Sequence, residues 1–255
     1  MKKKIGKSIS FFSLKGGVGK TILAINMAGI FESLNKKVLI MDLDLSGGGV
    51  NMALNKVADK TIFNFVDDYN NNRFKNFRDY VTKYDDFIDI LSSPKDPRQG
   101  GKIESKYIEI AIEKAELYYD IVLIDTSHEI NELNLVILDR VSEILFVVNN
   151  DPLCLKNVKS MIAIFKDLNK TNYKILLNSA REPMKKYFTL FDMRNILNSN
   201  INYEITKEFY IKNIDDYVMN GEIVTLQKKA PTVFNKDYTN MVKIAMDLAG
   251  GNDEK

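Results

Sequence analysis

Short apolar segments alternate with longer segments of helical periodicity along most of the chain. Several of the short segments are apolar at nearly every position, which is the pattern of strands buried on both faces of a parallel sheet. Each is bounded by turn residues, and together they span residues 8–14, 37–44, 87–91, 121–125, 144–148 and 173–178. These segments predict the strands of a mostly parallel β-sheet.

The segments between these strands have the spacing of amphipathic helices. The predicted helices cover residues 20–34, 103–118, 131–139, 155–168, 184–197 and 235–248. In the second of them, the predicted core-facing stripe consists of Ile103, Tyr107, Ile110, Ala111, Lys114 and Leu117. This alternation predicts a doubly wound α/β sheet with helices on both faces. We expect a single domain over residues 1–255, with residues 55–84 as an excursion from it.

Composition narrows the classes of protein to which the chain can belong. Of its 255 residues, 45% are hydrophobic, enough to build a core without disulfides. The 36 Lys and Arg residues nearly balance 34 Asp and Glu residues, and the net charge of +2 provides no electrostatic footprint for strong DNA binding. One cysteine, Cys154, and one histidine, His128, argue against an internal disulfide and against a His/Cys metal site.

No segment of the sequence has the length of a membrane anchor or a secretion signal. The first apolar stretch covers only residues 9–14, which is too short for a signal-peptide core. No apolar run approaches the roughly 18 residues of a membrane span. We therefore expect a cytoplasmic protein.

The strongest chemical signal is the segment KGGVGKT, which follows a predicted strand and opens a predicted helix. Its glycines allow backbone N–H groups to approach phosphate oxygens, and the N–H groups at the helix start favour negative charge. Lys20 adds a positive charge for the β- and γ-phosphates of a nucleotide, and Thr21 offers a hydroxyl to Mg²⁺. The predicted nucleotide-binding residues are Gly16, Gly17, Val18, Gly19, Lys20 and Thr21.

Aspartates stand at the carboxyl ends of two predicted strands, where ligands bind in open parallel sheets. Asp42 and Asp44 end the second strand, and Asp125 ends the fourth after four apolar residues. Together with Thr21, one such carboxylate would suffice for Mg²⁺, which keeps several of its waters. Aspartates at these positions also cap local structure, and for Asp42 a role in ordering its loop is equally open.

The phosphate-binding segment departs from the strict P-loop pattern in an informative way. Leu14 replaces the first glycine, and an additional lysine, Lys15, follows it. In this respect the segment resembles the deviant Walker A motif of the MinD/ParA class of P-loop ATPases. The resemblance implies that Lys15 reaches across an ATP-bound homodimer to the partner's phosphates. It also implies that Asp125 is the Walker B aspartate, and that Asp44 contacts the Mg²⁺ shell and the attacking water.

Two features of the sequence indicate which base the nucleotide carries. None of the Asn-Lys pairs is followed by Asp at the fourth position, so the guanine-specific Asn-Lys-x-Asp pattern is missing and ATP is favoured. Asn178, at the end of a predicted strand, resembles the family asparagine that contacts adenine, and Arg181 lies just beyond it. The alternative for Asn178 is a simple turn residue.

Other candidate residues favour structural roles. His128 lies where a switch segment is expected, but a lone histidine is more often a surface or cap residue. Cys154 is expected to be a packed thiol. The apolar residues of 184–197 fit a helix core, or alternatively a surface that docks a partner protein.

Secondary motifs are most similar to the TadZ/CpaE branch, whose members position or assemble pili and secretion machines. The resemblance rests on the segment DLDLSGGGV at residues 42–50, together with LSSP at 91–94 and LDRV at 138–141. The expected function is therefore a Mg²⁺-dependent ATPase that acts as a dimerising switch, with protein partners and at most an indirect association with the membrane, such as recruitment to a cell pole. The alternatives are a MinD-type or flagellar positioning ATPase, a ParA-type DNA-partition ATPase, and a nucleotide-dependent scaffold that does not hydrolyse ATP.

Overall fold

A single mixed sheet organises the part of the chain that the structure describes. The computed structural model describes residues 5–181, 187–209, 211 and 214–250, except for the side chain of Arg181. The strands are β1 (Lys7–Phe12), β2 (Val38–Leu43), β3 (Thr82–Lys83), β4 (Ile88–Leu91), β5 (Ile121–Thr126), β6 (Glu143–Val148), β7 (Tyr173–Asn178) and β8 (Tyr203–Ile205). Their order is β3-β4-β2-β5-β1-β6-β7-β8. Only the β3–β4 pairing is antiparallel, so the prediction of a mostly parallel sheet is confirmed.

Helices connect the strands and cover both faces of the sheet. They are α1 (Lys20–Ser33), α2 (Val50–Ala53), α3 (Ile62–Asn70), α4 (Pro97–Gly100), α5 (Ser105–Glu116), α6 (Glu132–Arg140), α7 (Pro152–Asp167), α8 (Leu190–Leu197), α9 (Ile214–Asn220), α10 (Ala230–Val233) and α11 (Asn235–Leu248). The β1–α1–β2 connection crosses the sheet in the opposite direction from β6–α7–β7. Because such crossovers are right-handed, α1 and α7 lie on opposite faces. The doubly wound α/β fold is therefore confirmed.

The core lies on both sides of the central strands. Every residue of β2 and β5 is buried, which agrees with the apolar run that forms the first four residues of each strand. Within residues 55–84, the ring of Phe65 in α3 packs against Phe74 and against Phe77 and Tyr80 of a 3-10 helix (Phe77–Tyr80), and β3 pairs with β4. None of the described helices is long and apolar enough to cross a membrane.

Several predicted elements need correction. Sequence patterns missed β3 and β8, which are only two and three residues long. In α5 the predicted stripe is wrong at Lys114 and Leu117, because Ile108, Ile112 and Ala115 are buried instead. The helix predicted for 155–168 begins at Pro152. The helix predicted for 184–197 is described as α8 from Leu190, with residues 182–186 outside the described part.

Hydrogen bonds from Thr225 hold α1, the helix that follows the phosphate-binding segment. The Thr225 hydroxyl donates to the backbone carbonyl of Asn26 at 2.7 Å, and the Thr225 amide donates to the Asn26 side chain at 3.2 Å. Gly29 leaves room for this contact, since a Cβ there would lie 2.5 Å from the Thr225 hydroxyl oxygen. The 3-10 helix Val224–Leu226 therefore fixes α1 on its face of the sheet.

Candidate functional site

The loop between β1 and α1 has the backbone conformation of an anion cradle. Gly17 and Gly19 have φ angles of 76° and 93°, in the left-handed region that favours glycine. Gly19 caps the start of α1, and the first turn of that helix holds no acidic side chain. A Cβ on Gly17 would meet no atom within 4 Å, so this side of the loop faces open space. The free N–H groups at the start of α1 can therefore bind a phosphate by donating to its oxygens.

Thr21 and Asp125 meet beside this cradle. The Thr21 hydroxyl donates to Oδ2 of Asp125 at 2.6 Å. Asp125 is buried at the end of β5, and its Oδ1 has no hydrogen-bond partner among the described residues. A hydroxyl beside an unsatisfied carboxylate oxygen is the set of hard oxygen donors that Mg²⁺ prefers. The residues present therefore fit a magnesium ion.

A second carboxyl group, that of Asp42, adds to the negative charge of this region. Asp42 pairs with Asp125 across the β2–β5 ladder. Burial, with the charge of Asp125 as a smaller cause, raises the pKa of Asp42 to about 7. Burial likewise raises the pKa of Asp125 to about 6, partly opposed by the bond from Thr21. A bound cation would stabilise the ionised form of both groups.

Asp42 itself is engaged in ordering the loop after β2. Its Oδ2 accepts from the Val50 amide at 3.0 Å and from the Ser93 hydroxyl at 3.4 Å. A Cβ on Gly48 would lie 1.8 Å from the Ser93 hydroxyl oxygen, so the loop passes close to these groups. Of the two sequence-based hypotheses for Asp42, this geometry favours the ordering of the loop.

Asp44 is less buried than Asp42 and Asp125. It is half-buried, and its Oδ1 accepts from the Ser46 hydroxyl at 3.2 Å and from the Gly47 amide at 3.1 Å. Lys20 is buried, and desolvation lowers the pKa of its ammonium against the attraction of Asp125 and Asp44. Lys20 therefore lies in the electric field of Asp125 and Asp44, the two carboxylates that the sequence pattern predicts to act on Mg²⁺.

Lys15 points away from this group and toward α7. Its Nζ lies 2.5 Å from Oδ2 of Asp151, the residue that caps α7 by accepting from the Cys154 amide at 3.0 Å. Sequence reasoning missed Asp151. An aspartate before a proline is a signal for a helix start, but nothing in that signal indicates a bond to Lys15.

Asn178 connects the end of β7 to the phosphate-binding loop. Its Nδ2 donates to the Val18 carbonyl at 2.8 Å, and its buried Oδ1 has no partner among the described residues. It borders a small recess of about 50 Å³, whose apolar walls include Ile22, Phe209 and Ile211. The sequence did not reveal these walls, because they belong to no motif. The side chain of Arg181 lies outside the described residues.

The single histidine and the single cysteine of the chain lie close to the phosphate-binding loop. The ring of His128 borders Gly16, since a Cβ on this glycine would lie 3.9 Å from Nδ1 of the histidine. Cys154 is buried, with its sulfur 3.9 Å from the Ser13 hydroxyl oxygen. Burial raises the pKa of the thiol, which makes it a poor nucleophile.

Comparisons with known proteins agree with this geometry. A family model described as an AAA domain (AAA_31) matches residues 6–178. The chromosome-partitioning ATPase Soj of Thermus thermophilus is 24% identical over 205 residues, which are 80% of this chain and 77% of that protein. A ParA family ATPase from Chlorobium tepidum has a similar structure, with a TM-score of 0.79 at 19% identity, covering 94% of this chain and 98% of that one. The septum site-determining protein MinD of Pyrococcus horikoshii, in complex with Mg-ADP, has a TM-score of 0.74 at 18% identity, covering 96% of each chain.

Proposed function

Because the chain belongs to the MinD/ParA family of P-loop ATPases, with its AAA domain at residues 6–178, we propose that it is a Mg²⁺-dependent ATPase that switches between a monomer and an ATP-bound homodimer. One observation carries the proposal. The Thr21 hydroxyl and the unsatisfied carboxylate of Asp125 meet beside an anion cradle, where a triphosphate and its metal ion have to be held together.

Different groups of the site have separate roles toward the triphosphate and its metal ion. Backbone N–H groups of Gly16–Thr21 and the ammonium of Lys20 bind the phosphate oxygens, while Thr21 and Asp125 would hold the metal. Bound Mg²⁺ would neutralise the charge that develops on the phosphates. Asp44 is proposed to orient the attacking water and the shell of the ion. Catalysis is then mainly a matter of positioning and electrostatics.

The recess beside Asn178 is the proposed adenine site. Its apolar walls from α1 and from Phe209, Ile211 and Ile214 suit the faces of a purine ring. The free Oδ1 of Asn178 is an acceptor that matches the exocyclic amino group of adenine, which guanine lacks at the corresponding position. Arg181 is proposed to lie at the edge of this site.

The dimer is proposed to require Lys15 from each protomer. In a two-fold assembly a contact from Lys15 to the partner's nucleotide occurs twice. The cellular role we propose is the positioning or partition of a cellular structure, and within that class a TadZ/CpaE-like role in assembling a pilus or a secretion machine, through protein partners.

A DNA-partition ATPase is the second candidate. It is favoured by the similarity to Soj and by a row of exposed cations on α7, formed by Lys156, Lys159 and Lys166. Binding to DNA that requires ATP and weakens steeply with salt would support this candidate over the first.

Phosphate release from Mg-ATP tests the proposed activity. We expect turnover by the wild type, a loss of about 100-fold or more in Thr21→Val, and retention in Thr21→Ser, which keeps the hydroxyl. Tight ATP binding without phosphate release would favour the non-hydrolysing scaffold. The absence of ATP binding would overturn the proposal.

A further inference from the structure

A buried carboxyl group on the C-terminal helix holds the segment that forms one wall of the recess. Asp237, in the first turn of α11, is 0% exposed. Its Oδ1 accepts from the Thr206 amide and its Oδ2 from the Thr206 hydroxyl, each at 2.7 Å. Both oxygens of a fully buried side chain therefore bind one residue, which directly follows β8.

The placement of this carboxyl group suggests a purpose beyond the stability of its own helix. An acidic residue in the first turn commonly stabilises its helix through the free N–H groups there. Burying a carboxyl group is costly unless it is hydrogen-bonded. Here Asp237 reaches out of α11 to Thr206, and the two bonds fix the direction in which the chain leaves the sheet.

The chain that leaves Thr206 becomes the wall of the recess. The Thr206 hydroxyl also accepts from the Glu208 amide at 3.3 Å, at the start of the 3-10 helix Lys207–Phe209. The ring of Phe209 packs edge-on against Phe234, which precedes α11, with centroids 5.0 Å apart. The segment is thus attached near the start of α11 at two points, and Phe209, at the second of them, also lines the recess.

We propose that Asp237 is a positioning residue for the nucleoside: through Thr206 it fixes the wall against which the base packs. This inference rests on the proposed function. Asp237 and Thr206 then control the affinity for the adenosine part of the nucleotide and leave the affinity for its phosphates unchanged, because the cradle of β1 and α1 is built without them.

Paired titrations of the full chain separate the two parts of the ligand. Mg-ADP carries the nucleoside, and Mg-pyrophosphate is the matching probe without it. For Thr206→Val we expect ADP affinity to fall about 5- to 30-fold, as for a lost buried hydrogen bond, with pyrophosphate affinity within about twofold of the wild type. Thr206→Ser keeps the hydroxyl and should restore ADP binding, and Asp237→Asn should show the same selective loss as Thr206→Val.

Tyr203→Phe is the matched control. It removes a hydrogen bond from the Tyr203 hydroxyl to Asp247, which joins the same strand and the same helix without reaching the recess. Both affinities should stay at the wild-type value in this variant. A fall in ADP affinity equal to that of Thr206→Val would show that any loosening of α11 has the effect, and it would overturn a specific role for Asp237.

Hydrogen exchange on the wild type provides evidence that does not depend on a variant's folding. ADP should slow exchange of the Glu208 and Phe209 amides, and pyrophosphate should not. Three results would overturn the inference. The first two are an equal fall in ADP and pyrophosphate affinity in Thr206→Val and an unchanged ADP affinity in that variant. The third is hydrogen exchange of the Glu208 and Phe209 amides that ADP does not slow. If the wild type binds neither ligand, the proposed function itself is wrong, whereas Thr206 and Asp237 variants that show no selective loss of ADP affinity refute only the positioning role.

Discussion

The ammonium of Lys15 forms an ion pair with the carboxylate of Asp151 at 2.5 Å, within one chain. Although desolvation of Asp151 opposes it, the bond from Lys15, assisted by the Cys154 amide, lowers the pKa of this carboxyl group. In the proposed dimer, a Lys15 that turns to the partner's nucleotide would exchange the carboxylate of Asp151 for a phosphate.

Asp151→Asn should favour the ATP-bound dimer. An asparagine still caps α7, but it no longer holds the charge of Lys15. Partly exposed ion pairs contribute about 0.2–1 kcal/mol each, and two break in each dimer, so the dimer Kd should fall about 2- to 30-fold. Light scattering with saturating ATP, in an Asp44→Ala background that blocks turnover, measures this constant. A weaker dimer would show that Asp151 supports the assembly instead.

Lys15→Ala should have the opposite effect on assembly. Lys15 does not lie in the cradle beside Lys20, so ATP binding by the monomer should change by less than about threefold, as for sites that act independently. ATP-dependent dimerisation and most of the hydrolysis should be lost. If Lys15→Ala dimerises as its parent does in the same Asp44→Ala background, the cross-dimer role of Lys15 is wrong.

Lys20→Ala should abolish measurable ATP binding. Lys20 is a buried cation in the field of Asp125 and Asp44, and its charge-assisted bonds to phosphate oxygens have no substitute in the loop. We expect ATP affinity to fall about 100-fold or more, at the strong end of charged hydrogen bonds. Lys159→Ala, on the exposed face of α7, is a control that should bind ATP normally. Unchanged affinity in Lys20→Ala would refute the assignment of the loop.

The phosphate-binding loop and the carboxylates could be predicted because short motifs in the sequence encode them. Strand-end position placed Asp42 and Asp125 together, and the β2–β5 register pairs them directly. The bond between Lys15 and Asp151 joins residues 136 positions apart, 15 and 151, and no local pattern encodes it.

The recess was missed for a related reason. Phe209 and Ile211 are ordinary apolar residues, and they become walls only because Thr206 and Asp237 fix the chain that carries them. The stripe predicted for α5 was wrong in its phase around the helix. The buried residues Ile108, Ala111, Ile112 and Ala115 also follow helical spacing, and Leu117, which follows the last residue of the helix, is 38% exposed.

Asp44→Ala should retain ATP and hydrolyse it slowly. Asp44 is half-buried, so its carboxylate is accessible to a water molecule that it could orient. Turnover should fall about 100-fold or more, as for the loss of a group that positions the nucleophile, while the ATP-bound dimer accumulates. The loss of the bonds to Ser46 and Gly47 is a separate effect, and Ser46→Ala is its control. Wild-type turnover in Asp44→Ala would move this role to another residue, with Asp42 the first to test.

Glu32 lies near the end of α1, at the opposite end of this helix from the phosphate-binding loop. Desolvation, together with the charge of Asp85 and a hydrogen bond to it, raises the pKa of Glu32 from its ordinary value to about 7. Asp85 is itself held by the Phe87 and Ile88 amides, both at 2.8 Å. A protonated Glu32 can donate to this fixed carboxylate, whereas two negative charges there would repel each other.

Because the folded state raises this pKa, it binds more protons than the unfolded chain between about pH 4.5 and 7. The stabilisation is complete at the acidic end of this window and is lost as the pH rises through it. Glu32→Gln keeps a donor to Asp85 and cannot ionise. Relative to this variant, the wild type should lose roughly 1 kcal/mol of unfolding free energy between pH 5 and 8, a figure reduced for the partial exposure of Glu32. Urea unfolding at several pH values measures the difference, and parallel curves for the two proteins would show that Glu32 carries no such proton.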